Sequence, residues 1–473
     1  MSKPPVEVIV IGAGLAGMTA AIALQQAGHQ VLVIDRRTKA GGLCGTTVLD
    51  GFEFTMGCND FGSAFERTMH DLGVDIDFTH PRSIFHTARG RYVVPPTPAT
   101  VARLLRHSPD LFRFSRALRA AKARGQYGYV GELLEQTVKS RDFADLVSII
   151  CWPFGTAPKD FRVDTLIALF SKEFGNGHDH HRVAPVGGPG VLAQRLAARL
   201  QNLGGELKLG THVQHIDTSR PLKSIETTHG SYQAHTLVSS QGRLDLYPEE
   251  TKPSLAVGAL HLAVAPGTPF PHGVHTVLHM PADAPSWLAR LDNGEFPDTF
   301  AFNIFPCEFL DERDYLSFTA YFMFPRGVDD LAAPDLKRVE NYILGRLDVM
   351  LPGFVSNIRY KRLVTPKAYR TLHDLPSNLS PAITPAGFRK PDGYDAQQDI
   401  HYVGTTVQPP CEHAESALLS GLRAAQTIIG KRESGRTGTV RFSLDRPAES
   451  VRLGKGTEHE QRWGAGREEG GAA

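Results

Sequence analysis

The chain has 473 residues, 41% of them hydrophobic, enough to bury a large core and to make two or three domains. Its net charge of +1 provides no overall field to recruit nucleic acid. The five cysteines (Cys44, Cys58, Cys151, Cys307 and Cys411) are scattered and lack zinc-ligand spacing, and no apolar run reaches the ~18 residues of a membrane span. Free thiols in a reducing compartment follow, and the first strand starts too early to leave room for a signal peptide, so a cytoplasmic location is expected.

The apolar run Val6–Ile11 reads as a buried parallel strand. Gly12-Ala13-Gly14-Leu15-Ala16-Gly17 follows it directly. In this pattern Gly12 permits a tight turn, Gly14 lets the backbone approach a pyrophosphate, and Gly17 lets the next helix pack closely on the strand. That alanine-rich helix is expected over 15–27 and ends at Gly28. Its free N–H groups and positive dipole end suit a diphosphate. A second strand over 30–34 ends at Asp35, which lies the expected roughly 20 residues beyond Gly14 and suits a ribose hydroxyl. These elements form a dinucleotide site.

Cys58-Asn59-Asp60 precedes a helix expected over 63–72, where Asn59 and Asp60 either turn and cap the chain or line a pocket. Helices are expected over 99–124, 130–139, 142–150 and 164–174. The first carries Arg103, Arg106, Arg113, Arg116, Arg119, Lys122 and Arg124 among apolar residues, which reads as a solvated face, with membrane contact as the alternative. His178-Asp179-His180-His181 is crowded into a Gly-flanked loop without helical ligand spacing, so no metal site is expected. A helix over 192–203 follows Gly187-Gly188-Pro189-Gly190, which is not a second nucleotide fingerprint. Strand-like stretches over 255–264, 300–305 and 315–324 precede a helix over 334–351. From Lys431 the tail is poor in apolar residues and reads as disordered or loosely attached.

Asp35 followed by Gly41-Gly42 resembles the second signature of FAD proteins of the amine oxidase and phytoene desaturase superfamily. In that family the paired glycines lie along the diphosphate and flavin. Leu43 stands where an Arg is usual, so one phosphate or flavin contact is missing, and Thr46 falls where the family often has Thr. Gly51-Phe52-Glu53-Phe54-Thr55-Met56-Gly57 resembles the strand beside the isoalloxazine, with Thr55 in place of an acid. Pro185 to Gly188, Gly204-Gly205 and Val213 resemble the block in which the residue at Val213 contacts adenine. Asp399 to Thr406 resembles the last FAD-domain strand, and 412–425, with Ser420-Gly421, resembles the closing helix. Thr365-Pro366-Lys367-Ala368-Tyr369 resembles a desaturase "T-P" strand.

The resemblance implies an α/β chain. A Rossmann-like FAD-binding domain with a mixed sheet is assembled from 1–79, 183–250 and 396–430, and a discontinuous α+β substrate domain from 80–182 and 251–395. It implies noncovalent FAD held by Gly12, Ala13, Gly14, Leu15, Ala16, Gly17, Asp35, Arg36, Arg37, Gly41, Gly42, Leu43, Met56, Gly57, Val213, Gly404, Thr405, His413 and Ala414. Cys58, Asn59 and Asp60 are candidate pocket residues.

Flavin N5 accepts a hydride, and the helix near Glu412 aims its N-terminus at the end of the ring that gains charge. His413 aligns with a wall of the amine-oxidase substrate cage; it and Glu412 are the catalytic candidates, each with packing or capping as the alternative. The first function reading is an oxidase or desaturase that removes a hydride from a C–N or C–C bond of a small or medium metabolite, with dioxygen a candidate acceptor. The others are a flavin isomerase or mutase without net redox, and a non-enzymatic escort-type relative. The intact glycine fingerprint argues against the last.

Overall fold

The computed structural model describes residues 4–59, 61–171, 182–242, 254–373, 375, 390–410 and 414–433. Val6–Ile11 lies inside an eight-stranded sheet, parallel to Val31–Ile34 on one side and to Gly230–Ser239 on the other. Beyond Val31–Ile34 comes Glu206–Lys208, also parallel. Gly230–Ser239 has two roles: its first half closes an antiparallel meander with Lys223–Thr227 and Val213–Asp217, and its second half pairs with Ile400–Tyr402.

Side chains alternate across this sheet with period two. Val8 and Val10 pack into a helical layer, whereas Ile9 and Ile11 pack with Ile225, Tyr232 and Leu237 on the meander side. The helical layer centres on Leu15–Gln26, flanked by Gly188–Asn202 and Ala414–Glu433. Alanines on the first helix and Gly421 on the last let their backbones touch. A Cβ on Gly421 would stand 2.3 Å from the Ala16 carbonyl oxygen. Gly421→Val is therefore expected to cost about 2–3 kcal/mol through overpacking; urea unfolding of the holo-protein tests this, and an unchanged midpoint contradicts it.

The second sheet has seven strands in the order Ile358–Val364, Val257–Val264, Leu316–Met323, Phe302–Cys307, Val274–His279, Arg82–Thr87, Gly90–Val94. Only the Val274–His279 and Arg82–Thr87 pair is parallel. One face carries Leu260, Leu262, Phe318, Ala320 and Phe322, covered by Val339, Ile343 and Leu347 of helix Ala333–Met350. The other face carries Ala259 and Ala263 and meets Phe54, Leu43 and Tyr369. That face, against Phe54, Leu43 and Tyr369, borders the candidate site.

Several elements differ from their sequence expectation. The 99–124 helix is two helices, Pro98–Leu105 and Ser108–Arg124, because Pro109 lacks the N–H that would continue the first. Among their exposed apolar residues are Leu105, Leu111 and Phe112. Arg82–Thr87 and Gly90–Val94 form a hairpin within a stretch read as mostly helical. The "T-P" segment is a helix, Pro366–His373, rather than a strand: Pro366 opens it with φ already set, and Thr365 Oγ1 accepts from the Ala368 N–H at 3.2 Å. The closing helix runs on to Glu433, so the tail is helical in its first residues; 434–473 lie outside the described residues. Among the described residues no helix is long and apolar enough to cross a membrane.

Candidate active site

The chain end of the first strand is shaped by glycine. Gly12 has φ +105°, and a Cβ there would fall 1.8 Å from Ser240 Oγ. A Cβ on Gly17 would fall 2.0 Å from the Gly12 carbonyl. The helix opens with Gly14 as an extended N-cap, with no side-chain cap and no acid in its first turn. Leu15, Ala16 and Gly17 thus place no carboxylate of their own at the positive end of the dipole. Gly14 bridges to Gly41, the Gly41 N–H donates to the Ala13 carbonyl at 2.7 Å, and a Cβ on Gly42 would lie 3.2 Å from Gly14 Cα. Two glycine turns thus lie back to back.

Asp35 accepts the Ala13 N–H at 2.6 Å on one carboxylate oxygen and the Arg37 N–H at 2.7 Å on the other. Each oxygen keeps a lone pair for a hydroxyl. The Asp35 carbonyl accepts the Thr211 N–H and the Arg37 carbonyl accepts the Gly210 N–H, both at 2.8 Å, which brings the Val213 strand to the same corner. Arg36 is exposed beside it. At the end of the Ile400–Tyr402 strand, Gly404 has φ +113° and its N–H donates to Ser420 Oγ at 2.8 Å. Thr405 follows, half-buried, and Ala414 starts the closing helix, buried. The next residue, Glu415, accepts the Gly62 N–H and ties that helix to the segment after Gly57. An uncapped helix start, a glycine-lined backbone cradle and a carboxylate with free lone pairs fit the diphosphate and ribose of FAD.

Thr46–Leu49 and Phe52–Thr55 form a hairpin over Asp50-Gly51, both with positive φ, and it delivers Gly57 beneath Tyr369. The Met56 N–H donates to the Gly45 carbonyl at 3.0 Å. Thr55 donates to Asn59 Oδ1 at 2.7 Å. Asn59 Nδ2 donates to the Tyr321 hydroxyl at 2.9 Å, and the Asn59 carbonyl accepts from His275 Nε2. Asn59 is therefore locked between the Phe52–Thr55 strand and the seven-stranded sheet, and Cys58 beside it is half-buried and forms no disulfide. Asp60, Glu412 and His413 lie outside the described residues, as do Cys411 and the 178–181 histidine loop. Among the described residues no group of three or more His, Cys, Asp or Glu side chains is placed to hold a metal.

The structure adds residues that the sequence reading missed: Tyr321, His275, His261, Tyr369 and His373. His261 is buried on the sheet face and bonds through Nδ1 to Thr319 Oγ1 at 3.0 Å. Burial, with smaller pushes from His373 and Arg362, lowers its pKa to about 3. Burial, helped by Arg37, lowers His373 to about 4, and burial raises the Tyr369 hydroxyl well above its usual value. At neutral pH these groups are hydrogen-bonding partners and carry no charge.

A family model described as flavin-containing amine oxidoreductase matches residues 15–429. The chain belongs to the flavin-containing amine oxidoreductase family. Family and fold make it an FAD-binding protein of the oxidoreductase class. Over 258 residues it is 28% identical to the neurosporene-forming phytoene desaturase of Rhodobacter capsulatus, covering 46% of this chain and 48% of that one. Over 70 residues it is 41% identical to an inactive all-trans-retinol 13,14-reductase of Danio rerio, covering 15% of this chain and 12% of that one. These alignments span less than half of either relative. Cyclohexylamine oxidase from Brevibacterium oxydans superposes with TM-score 0.59 at 15% identity, covering 91% of this chain and 100% of that one, which shows a shared fold.

Proposed function

We propose that this chain removes a hydride from a C–N or C–C bond of a small to medium, moderately polar metabolite. The observation that carries this reading is the meeting of the glycine cradle with the polar sheet face at Gly57. FAD, when bound, supplies the two-electron acceptor. The protein residues hold and orient. Gly12 to Gly17 and Gly41-Gly42 take the diphosphate, Asp35 the ribose, and Val213 the adenine side. Gly57, Cys58 and Asn59 form one wall of the substrate space, with Asn59 fixed by Thr55, Tyr321 and His275. A wall built from polar groups suits a substrate with polar groups of its own. Similarity to a desaturase supports C–C oxidation, and the amine-oxidase fold supports C–N oxidation. His413 is the proposed proton acceptor, and dioxygen the proposed final electron acceptor.

The test is anaerobic mixing of the flavin-loaded chain with amines, amino-acid-derived intermediates and polyenes. At least one polar member is expected to bleach the flavin. A flavin that no member bleaches contradicts the reading. With the bleaching compound, His413→Ala is expected to slow reduction roughly 100-fold while FAD stays bound. Unchanged rates in His413→Ala and His413→Gln remove that role.

A further inference from the structure

Helix Pro366–His373 places Tyr369 and His373 four residues apart, on one face. Both are buried, at 0% and 2% exposure, and their rings meet edge to face at 4.3 Å. Among the described residues, neither the Tyr369 hydroxyl nor either ring nitrogen of His373 has a hydrogen-bond partner. Buried polar groups of native proteins are satisfied by protein, water or ligand, so three orphaned atoms in one place point to a ligand.

Their position says which ligand. The Tyr369 hydroxyl lies 2.6 Å from where a Gly57 Cβ would be, so only a glycine fits beneath it. The Tyr369 ring belongs to the same apolar cluster as Leu43. The His373 carbonyl accepts from the Arg37 guanidinium. The pair thus stands where the Gly42-Leu43 turn, the Gly57 strand and Arg37 converge. Leu43 contributes no polar atom to this wall.

We infer that Tyr369 and His373 are flavin-positioning residues, which hydrogen-bond polar atoms of the FAD ring from the substrate-domain side. The hydroxyl supplies a donor. The imidazole supplies one donor and one acceptor. This inference rests on the FAD reading above.

Tyr369→Phe removes one oxygen and nothing else from the packing. If the hydroxyl meets the flavin, the variant binds added FAD about tenfold more weakly, the scale of one lost hydrogen bond. The visible absorption band and midpoint potential of the bound flavin shift as well. His373→Asn is expected to move the same two readouts. If the hydroxyl only packs, Tyr369→Phe leaves FAD affinity within twofold and the spectrum and midpoint potential unchanged. That result in both variants overturns the inference alone. A wild-type chain that takes up no FAD overturns the FAD reading and the inference together.

Discussion

Asp35→Ala is expected to purify largely without FAD. The carboxylate organises its surroundings before any ligand arrives: it fixes the Ala13 amide at the glycine turn and the Arg37 amide at the start of the next loop. Its remaining lone pairs suit the adenosine ribose. Removing it leaves two backbone donors without their partner and deletes the ribose acceptor. Charge-assisted hydrogen bonds of this kind are worth about 1.5–3 kcal/mol each, so loss of one to the ribose lowers FAD affinity by roughly 10- to 150-fold. Gly17→Ala is expected to act more severely, because the added methyl meets a backbone carbonyl at 2.0 Å and must push the helix off the strand. FAD content per chain after gel filtration measures both. Full flavin retention in Asp35→Ala contradicts the assignment of the cradle.

The holo-protein is expected to lose stability steeply between pH 6 and pH 5. His261 and His279 are held at about 3, and His373 and His401 at about 4, in each case chiefly by burial. In the unfolded chain a histidine titrates near 6.5. The folded-state values are depressed, so below pH 6.5 the unfolded state binds protons that the folded state refuses, and stability falls as pH falls towards 4. One group titrating fully is worth about 1.4 kcal/mol per pH unit; with the unfolded histidines already part-protonated at pH 6, four are worth about 5 kcal/mol between pH 6 and 5. Asp145, Asp160 and Glu308 are held up chiefly by burial and act in the opposite sense, which softens the loss nearer pH 4. Urea unfolding at pH 7, 6 and 5 tests this. A midpoint that stays level from pH 6 to 5 contradicts it.

The cofactor half of the site was legible because its signal is local. Strand, turn, helix, strand and acid occupy one continuous run from Val6 to Asp35, and each glycine has a steric reason within that run. The pairing of Gly14 with Gly41 is longer in range, yet still within one short stretch. The substrate side is assembled differently. Tyr321, His261, His275 and Tyr369 come from separate strands and a helix far from Gly57 in sequence, and each is unremarkable in its own segment. His261 sits in a strand buried on both faces, where alternation reveals no direction. Tyr369 was hidden because resemblance made its segment a strand, whereas Pro366 opens a helix there. The hairpin of Arg82–Thr87 and Gly90–Val94 was missed because its pairing to Val274–His279 spans a long loop and leaves only a short local pattern.

The most direct measurement is an anaerobic titration of the flavin-loaded chain with the panel compound that bleaches it, following the visible spectrum and analysing the product. The account predicts one noncovalent FAD per chain, released on acid precipitation, and one molecule of two-electron-oxidised product formed per flavin reduced. A colourless chain that takes up no FAD, or a flavin chain that converts its substrate without net oxidation, contradicts it.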